Sequence, residues 1–229
     1  MKRIVARELM DDDEAIGTQA QWRESLGDLA WVNTVLGGWK ALRSELDRLP
    51  TLPARVVDVA TGGADLPRHV LDYLTMRGKK AVCVAVDRSE RLLEIAQDLS
   101  GGRGDLVFVR ADALALPFAD RSFDLATFNL ALHHFDPSDA TRVLRELARV
   151  AATVIVNDLR RSVVAWAFAR FVFPFFTRNR FTRHDGPMSV LRSYTPAEMQ
   201  ELARRAGWSW ISVRTKGGYR MTLTGGVLA

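Results

Sequence analysis

Cysteine is nearly absent from this sequence of 229 residues, which contains only Cys83, within the apolar run AVCVAV. A single cysteine cannot form an intramolecular disulfide, and no cluster of cysteine and histidine has the spacing of metal ligands. We therefore predict that Cys83 is a buried core residue and that the protein has no metal site.

Long apolar stretches are also missing. No uninterrupted run reaches the length that crosses a membrane, and residues 1–14 are too acidic and too poor in apolar residues for a secretory signal peptide. We expect a cytoplasmic location and no transmembrane segment. With 48% hydrophobic residues, the chain can bury the core of one α/β domain with a small helical extension.

Acidic residues are scarce in the C-terminal third. Residues 160–220 contain 12 Lys and Arg against 3 Asp and Glu, a charge of +9, so the remainder carries −4 of the net +5. Such a field can attract nucleic acid, acidic lipid headgroups or an anionic substrate. No aromatic-interleaved RNA motif or recognition helix accompanies it, so nucleic acid is disfavoured. A solvated, arginine-rich surface is the simplest interpretation.

The proline-bearing segment 47–54 divides the chain. Before it, apolar residues recur at helical spacing on both sides of Gly37 and Gly38, which predicts two amphipathic helices. We assign residues 1–50 to an N-terminal helical extension or cap and residues 51–229 to the main domain.

Short β-branched runs alternate with amphipathic stretches from residue 55 onward. The runs that we interpret as parallel strands are RVVDVA, AVCVAVD, DLVFVR, DLATFN and TVIVND. This alternation predicts an α/β, doubly wound, Rossmann-like fold with helices on both faces of a mostly parallel sheet. The runs WSWISVRT and YRMTLTG, separated by Lys216-Gly217-Gly218, predict a C-terminal β-hairpin.

The regular alternation ends after Asp158. The run 163–176 is apolar on all sides except for one arginine, so a helix there needs a cover: the N-terminal helices, a second subunit, or a greasy substrate and the membrane surface that supplies it. Pro174 should end or bend this helix. We interpret residues 177–195 as an irregular basic loop, within a substrate-selecting insertion at about 160–195.

Small residues follow the first predicted strand, in the text D-V-A-T-G-G-A-D from Asp58 to Asp65. They permit a tight strand-to-helix turn, let a ligand approach the backbone closely, and leave helix amides available to an anion. The alternative is a turn that only connects the strand to the helix.

An acidic residue, Asp87, ends the second predicted strand, 23 residues after Ala64. In doubly wound nucleotide-binding folds such a carboxylate accepts hydrogen bonds from both ribose hydroxyls. The alternative is that Asp87 caps the next helix, but Ser89 can serve as that cap. At this point a dehydrogenase and a methyltransferase fit equally well.

The segment from Asp112 to Asp124 separates the two. It reads D-A-L-A-L-P-F-A-D-R-S-F-D and leads directly into the fourth predicted strand. With the motifs before it, this segment resembles the class I S-adenosylmethionine-dependent methyltransferases over roughly residues 54–160. The resemblance implies a seven-stranded sheet and S-adenosylmethionine as the cofactor.

The resemblance also implies roles for individual residues. The expected cofactor-binding residues are Asp58, Ala60, Thr61, Gly62, Gly63, Asp65, Asp87, Arg88, Asp112, Ala113, Asn129 and Leu130. Asp58 would hold the methionine ammonium, Asp87 the ribose hydroxyls and Asp112 the adenine amino group. Alanine replaces the usual glycine at positions 60 and 64, and we expect both alanines to keep right-handed backbone angles.

Adjacent histidines, His133 and His134, follow the fourth predicted strand on the cofactor side. Methyl transfer from a sulfonium is an in-line displacement, so a base is needed only where the acceptor loses a proton. These histidines are the candidate catalytic bases; the alternative is that they hydrogen-bond the backbone and stabilise the loop. The candidate substrate-binding residues are Asp158, Arg160 and His184.

Three more residues of the basic segment, Arg178, Arg183 and Asp185, lie where substrate selection is expected. The neighbours His184 and Asp185 are a second acid/base candidate; an ion pair within the loop is the alternative.

A closer resemblance rests on N-T-V-L-G-G at 33–38, N-D-L-R-R-S at 157–162, and R-H-D-G-P with a following Y-T-P at 183–196. These motifs are similar to bacterial methyltransferases associated with type III polyketide synthases, which implies a phenolic or polyketide-derived acceptor and a place in secondary metabolism. The sheet also resembles the quinone-biosynthesis C-methyltransferases, so carbon is a second candidate for the methylated atom.

We therefore predict an S-adenosylmethionine-dependent methyltransferase that methylates oxygen or carbon of a small apolar acceptor. Homodimer formation and contact with a membrane surface stay open. The alternatives are a methyltransferase of nucleic acid or protein, a non-enzymatic cofactor-binding module, and a nicotinamide-dependent oxidoreductase. The text N-L-A-L at 129–132, where nucleic-acid N-methyltransferases commonly have D-P-P-Y or N-P-P-Y, counts against a nucleic-acid substrate.

Overall fold

The computed structural model describes residues 1–4, 8, 18–172 and 179–227. Its strands are β1 (Arg55–Val59), β2 (Val82–Asp87), β3 (Leu106–Arg110), β4 (Phe123–Asn129), β5 (Ala151–Leu159), β6 (Trp210–Lys216) and β7 (Arg220–Gly226). Its α-helices are α1 (Gln19–Val35), α2 (Gly38–Leu46), α3 (Asp65–Met76), α4 (Glu90–Leu99), α5 (Pro137–Val150), α6 (Val163–Ala167), α7 (Arg180–Arg192) and α8 (Pro196–Arg205). A 3-10 turn spans Leu132–His134, and a π-helical turn spans Phe168–Val172.

Within the described part of the chain, seven strands form one sheet in the order β3-β2-β1-β4-β5-β7-β6. Strands β1 to β5 are parallel, and β7 runs antiparallel between β5 and β6. The predicted doubly wound sheet and C-terminal hairpin are confirmed. The strand order reverses between β1 and β4, and a ligand crevice is expected outside the carboxyl ends of the strands at such a point.

The sheet is buried on both faces, which explains its uninterrupted apolar strands. One core cluster includes Val57, Phe128 and Leu144, and a second includes Leu42 and Cys83. Cys83 is fully buried, as predicted.

The two predicted N-terminal helices are present as α1 and α2, before β1. Glu45 of α2 is buried and accepts hydrogen bonds from Thr222 and Thr224 of β7. The extension therefore packs on the sheet of the main domain. The proposed boundary at residue 50 stays a prediction.

The prediction of an irregular loop at 177–195 is wrong, because α7 covers Arg180–Arg192. Pro187 lies inside this helix and lacks the N–H that its turn would use, so the local sequence does not read as helical. Tertiary contacts hold the helix instead, including the bond from Ile4 N to Leu191 O.

The apolar run 163–176 is helical where it is described, first as α6 and then as the π-helical turn. Ser162 caps α6 by accepting a hydrogen bond from Ala165 N. Pro174 and Arg178 lie outside the described residues. No helix of the described ranges is long and apolar enough to cross a bilayer.

Candidate active site

A cavity of about 770 Å³ opens at the carboxyl ends of the central strands, beneath α1 and beside α7. Its lining includes every predicted cofactor-binding and catalytic residue, namely Asp58, Ala60, Thr61, Gly62, Gly63, Asp65, Asp87, Arg88, Asp112, Ala113, Asn129, Leu130, His133 and His134. The fold thus brings together side chains from the ends of four strands and from the turns that follow them.

The turn after β1 adopts left-handed backbone angles, with φ of +54° at Ala60, +52° at Gly62 and +53° at Ala64. The expectation that both alanines keep right-handed angles is therefore wrong. The chain must reverse sharply so that Thr61 N can bond to Val86 O. A left-handed alanine costs roughly 1–2 kcal/mol, so the fold imposes strain at this turn.

Asp87, at the end of β2, is buried and directed at this turn. One carboxylate oxygen accepts from Gly62 N at 2.9 Å and the other from Ser89 N at 3.1 Å. Ser89 caps α4 by accepting from Leu92 N, so Asp87 does not serve as the side-chain cap. Burial raises the pKa of Asp87, and these backbone hydrogen bonds offset part of the rise.

Asp58 is buried at the end of β1, where Oδ1 accepts from Thr127 Oγ1 at 2.5 Å and from Asn129 Nδ2 at 2.9 Å. Burial raises the pKa of Asp58 to about 6, although the hydrogen bonds favour the ionised form. Because the carboxylate lines the cavity, a bound cation would meet a concentrated negative charge there.

Helix α1 covers the turn. A methyl group added at Gly62 or Gly63 would lie within 3.6 Å of the Leu26 side chain. Leu26, Leu29 and Val32 line the cavity on this side. Helix α1 therefore shields a ligand at the turn from solvent.

His133 and Asp158 form a buried pair at the other end of the cavity. Their side chains are 3% and 1% exposed, and His133 Nδ1 lies 2.7 Å from Asp158 Oδ1. The other carboxylate oxygen accepts from His133 N at 3.0 Å. Burial alone would raise the pKa of Asp158, but the charge and the hydrogen bond of His133 bring it below its ordinary value.

Glu8 faces both histidines from the N-terminal segment. Its carboxylate oxygens lie 3.8 Å from His133 Nε2, 3.9 Å from His134 Nε2 and 3.6 Å from Arg192 Nη1. Glu8, His133 and His134 are residue types that can bind a metal ion, and in the part of the chain that the structure describes their potential ligand atoms lie within 4.8 Å of one another. Since Arg192 already places a cation beside this carboxylate, we interpret Glu8 as the counter-charge of Arg192, with both histidines next to that pair.

Comparisons with known proteins bear on the identity of the chain. Residues 56–153 match the family model described as a methyltransferase domain. The demethylmenaquinone methyltransferase of Roseiflexus sp. (strain RS-1) is 30% identical over 190 residues, which is 78% of this chain and 77% of the relative. That of Thermus thermophilus is 33% identical over 139 residues, 60% of this chain and 52% of the relative.

The chain belongs to the class I S-adenosylmethionine-dependent methyltransferases. It is an enzyme, and its cofactor is S-adenosylmethionine.

Solved structures share the fold of this methyltransferase. Human N-acetylserotonin methyltransferase in complex with its cofactor superposes with a TM-score of 0.69 at 12% identity, over 93% of this chain and 57% of that one. An S-adenosylmethionine-dependent methyltransferase from Aquifex aeolicus gives 0.65 at 18% identity, over 90% and 98% of the two chains.

The residues present fit the cofactor. Asp58 offers a carboxylate to the methionine ammonium, Asp87 offers one to the ribose, and the left-handed turn at Gly62 keeps side chains away from both. Asp112 accepts from Leu114 N at 2.9 Å, which fixes its side chain at the cavity edge, beside the buried Ala113. These individual roles stay predictions.

The candidate substrate-binding residues are placed differently from one another. Asp158 acts on the cavity through His133, whereas Arg160 is half-buried and its backbone N bonds to Tyr219 O. His184 is 48% exposed and pairs with Asp185 at 2.8 Å. Asp185 lines the cavity; Arg160 and His184 do not.

Sequence reasoning missed Arg220, which is 1% exposed although it begins a hairpin strand. Its Nη1 donates to Asn157 Oδ1 at 3.3 Å, and Asn157 Nδ2 donates to Asn129 Oδ1 at 3.2 Å. Nε and Nη2 have no hydrogen-bond partner among the described residues. Burial lowers the pKa of Arg220 to about 10. Since Asn129 also donates to Asp58, hydrogen bonds connect Arg220 to Asp58 through Asn157 and Asn129. These residues lie on neighbouring strands, so the connection is visible only once the strand order is known.

Proposed function

We propose that this methyltransferase methylates oxygen or carbon of a small, apolar acceptor that loses a proton, such as a phenol, a quinol or an enol, and that His133 is the base. The observation that carries the proposal is the buried His133–Asp158 pair, in which His133 lines the same cavity as Asp58 and Asp87.

Asp158 sets the proton position on the imidazole. When His133 is neutral, the Asp158 carboxylate accepts its Nδ1 hydrogen, which leaves the lone pair on Nε2. Once Nε2 has taken a proton, the same carboxylate faces the positive charge of the imidazolium, the interaction that holds the pKa of Asp158 below its ordinary value. His133 lines the cavity and can therefore take a proton from an acceptor placed there.

One wall of the acceptor end of the cavity is apolar. Leu159, Ala165, Phe168, Ala169 and Val190 form it, and Asp185, Ser189 and Arg192 of α7 add polar groups beside it. Apolar walls favour a ring or an alkyl chain over a polar substrate. This supports a phenolic, quinol or polyketide-derived acceptor, and the relatives named as demethylmenaquinone methyltransferases support a quinol in particular.

When bound, S-adenosylmethionine supplies an electrophilic methyl group and its sulfur keeps the electron pair of the broken bond. His133 takes the acceptor proton, so the acceptor oxygen or carbon has an electron pair for the new bond to methyl. The apolar walls and α1 exclude water from the line between the two ligands.

The test replaces His133 by Gln and, separately, Asp158 by Asn. We expect kcat for a panel of alkyl phenols and a short-chain naphthoquinol to fall by about 10²–10⁴ in H133Q, the usual contribution of a general base. S-adenosylhomocysteine formation measures the rate, and calorimetry should show unchanged affinity for S-adenosylhomocysteine.

His184→Gln is the matched control, since it removes a histidine of similar pairing geometry whose side chain is exposed. Its kcat should equal that of the unmodified enzyme. Full activity in H133Q would overturn the role of His133.

A further inference from the structure

Helix α6 and the π-helical turn present large apolar side chains to solvent. Val163, Val164, Phe168 and Phe171 are 66%, 73%, 38% and 60% exposed. All four lie within nine consecutive residues, so this short segment carries a concentration of exposed apolar side chains. We refer to these four residues as the α6 stripe.

The same segment forms a wall of the active-site cavity. Ala165 and Ala169 are buried and line the cavity, and Phe168 lines it as well as being partly exposed. One helical layer with small inward-facing side chains thus separates the α6 stripe from the acceptor end of the cavity.

The surroundings of the α6 stripe are positively charged. Residues 160–195 contain seven arginines and one acid, Asp185. Asp185 is buried and paired with His184, and two of the arginines, Arg161 and Arg192, are buried and paired with Glu198 and Glu8. Arg170, within the same segment as the stripe, and Arg183 are exposed.

The positive charge favours one of the two partners that could cover this apolar surface, a second copy of the chain or a membrane. A second copy of the chain packed stripe to stripe would bring two clusters of arginines together, which costs free energy. A bilayer with anionic headgroups supplies the opposite charge and an apolar layer beneath it. Apolar side chains flanked by arginine are the composition of segments that lie in such an interface.

We propose that the α6 stripe docks this methyltransferase on a membrane surface containing anionic lipid, where an apolar acceptor enters the cavity from the lipid phase. The acceptor rests on the proposed function, whereas the docking does not.

The test measures sedimentation of the full chain with vesicles, without any acceptor. We expect binding to vesicles of phosphatidylcholine with about 30% phosphatidylglycerol, and weaker binding to phosphatidylcholine alone or at high salt. In the double variant Val164→Asp/Phe171→Asp, the partition coefficient should fall at least about tenfold. Each change removes an apolar contact with the lipid and adds a negative charge that the anionic headgroups repel.

Met76→Asp/Val107→Asp is the matched control. These residues are 86% and 52% exposed, on α3 and on the far edge strand β3, and the variant makes the same change in net charge. Its partition coefficient should be no more than about twofold lower than that of the unmodified protein. Equal losses in both variants would show that the change in net charge alone explains the effect, and would contradict docking through the α6 stripe.

Light scattering adds the remaining outcome. If the unmodified chain is a dimer that the stripe variant converts to monomers, the cover is a second copy and the membrane proposal is wrong. Calorimetry with S-adenosylhomocysteine reports whether each variant is folded. Vesicle binding with no methyl transfer to any acceptor would contradict the proposed function alone.

Discussion

Asp58 combines full burial with a pKa of about 6, and its charge is the feature that a methionine ammonium would require. This pKa lies above the ordinary aspartate value of 3.8, so the folded protein keeps the proton through a pH window in which the unfolded chain has released it. The carboxyl group therefore reduces folding stability as the pH rises from about 4 to 6. Ligand binding has the opposite pH dependence, since the ammonium selects the ionised form.

We predict that the Kd for S-adenosylhomocysteine is constant above about pH 7 and rises by up to tenfold per pH unit below about pH 6. Calorimetry between pH 5 and 8 measures it. In Asp58→Asn this part of the pH dependence should vanish and the affinity should be low throughout. The ligand 5′-methylthioadenosine, which lacks the amino acid portion, is the control. If it loses affinity as steeply, Asp58 does not bind the ammonium.

The sequence alone is sufficient to predict site residues that lie at the end of a single strand. Asp87 ends β2 and Ser89 directly precedes α4, so the sequence already indicates that Ser89 can cap the helix while Asp87 is available to a ligand. The pairing of His133 with Asp158 depends on the placement of a turn after β4 beside the end of β5, which no local pattern contains. Glu8 could not be placed at all, because its neighbours in space are far away in the chain.

Two helices begin with the same capping box, which allows a matched comparison. Thr18 caps α1, the cover of the cofactor turn, and Thr195 caps α8; each accepts from the backbone N–H three residues later. Loss of such a cap costs roughly 0.5–2 kcal/mol of helix stability.

We predict that Thr18→Ala weakens S-adenosylhomocysteine binding by a few-fold, because α1 must be ordered to shield the ligand. Thr195→Ala should lower the free energy of unfolding by about 1 kcal/mol and leave the Kd unchanged. Calorimetry and urea unfolding measure the two effects. Equal Kd values for both variants and the unmodified protein would show that α1 does not contribute to cofactor binding.

Most elements could be predicted from periodicity, and the exceptions have physical causes. The strands and the helices α3, α4, α5 and α8 have regular patterns because each buries one face or both. Helix α7 contains Pro187 and depends on tertiary contacts, so its pattern was not informative. The left-handed angles at Ala60 and Ala64 arise from the sharp reversal after β1, and alanine itself does not indicate them.

Across the whole molecule, the first residues join parts of the chain that are distant in sequence. Arg3 donates to the carbonyls of Arg192, His133 and Phe135 at 2.5, 3.1 and 2.7 Å, and its guanidinium stacks on the Tyr194 ring at 4.3 Å. Arg3 of the N-terminal segment therefore holds in place the turn that carries His133, the candidate base. Contacts over more than a hundred residues leave no local signal in the sequence.

We predict that Arg3→Ala lowers the free energy of unfolding by roughly 1–3 kcal/mol, because it removes the donor to His133 O and one of the two donors to Phe135 O, which keeps the Tyr194 hydroxyl. The variant should also lower kcat about tenfold, because His133 is misplaced. The Kd for S-adenosylhomocysteine should be unchanged, since Asp58 and Asp87 lie on β1 and β2 and not on the turn that Arg3 contacts. Arg23→Ala is the control, as it removes only an exposed ion pair with Asp98 and should cost less than about 1 kcal/mol. A loss of stability in Arg3→Ala with full kcat would mean that the N-terminal segment supports the fold without positioning the base.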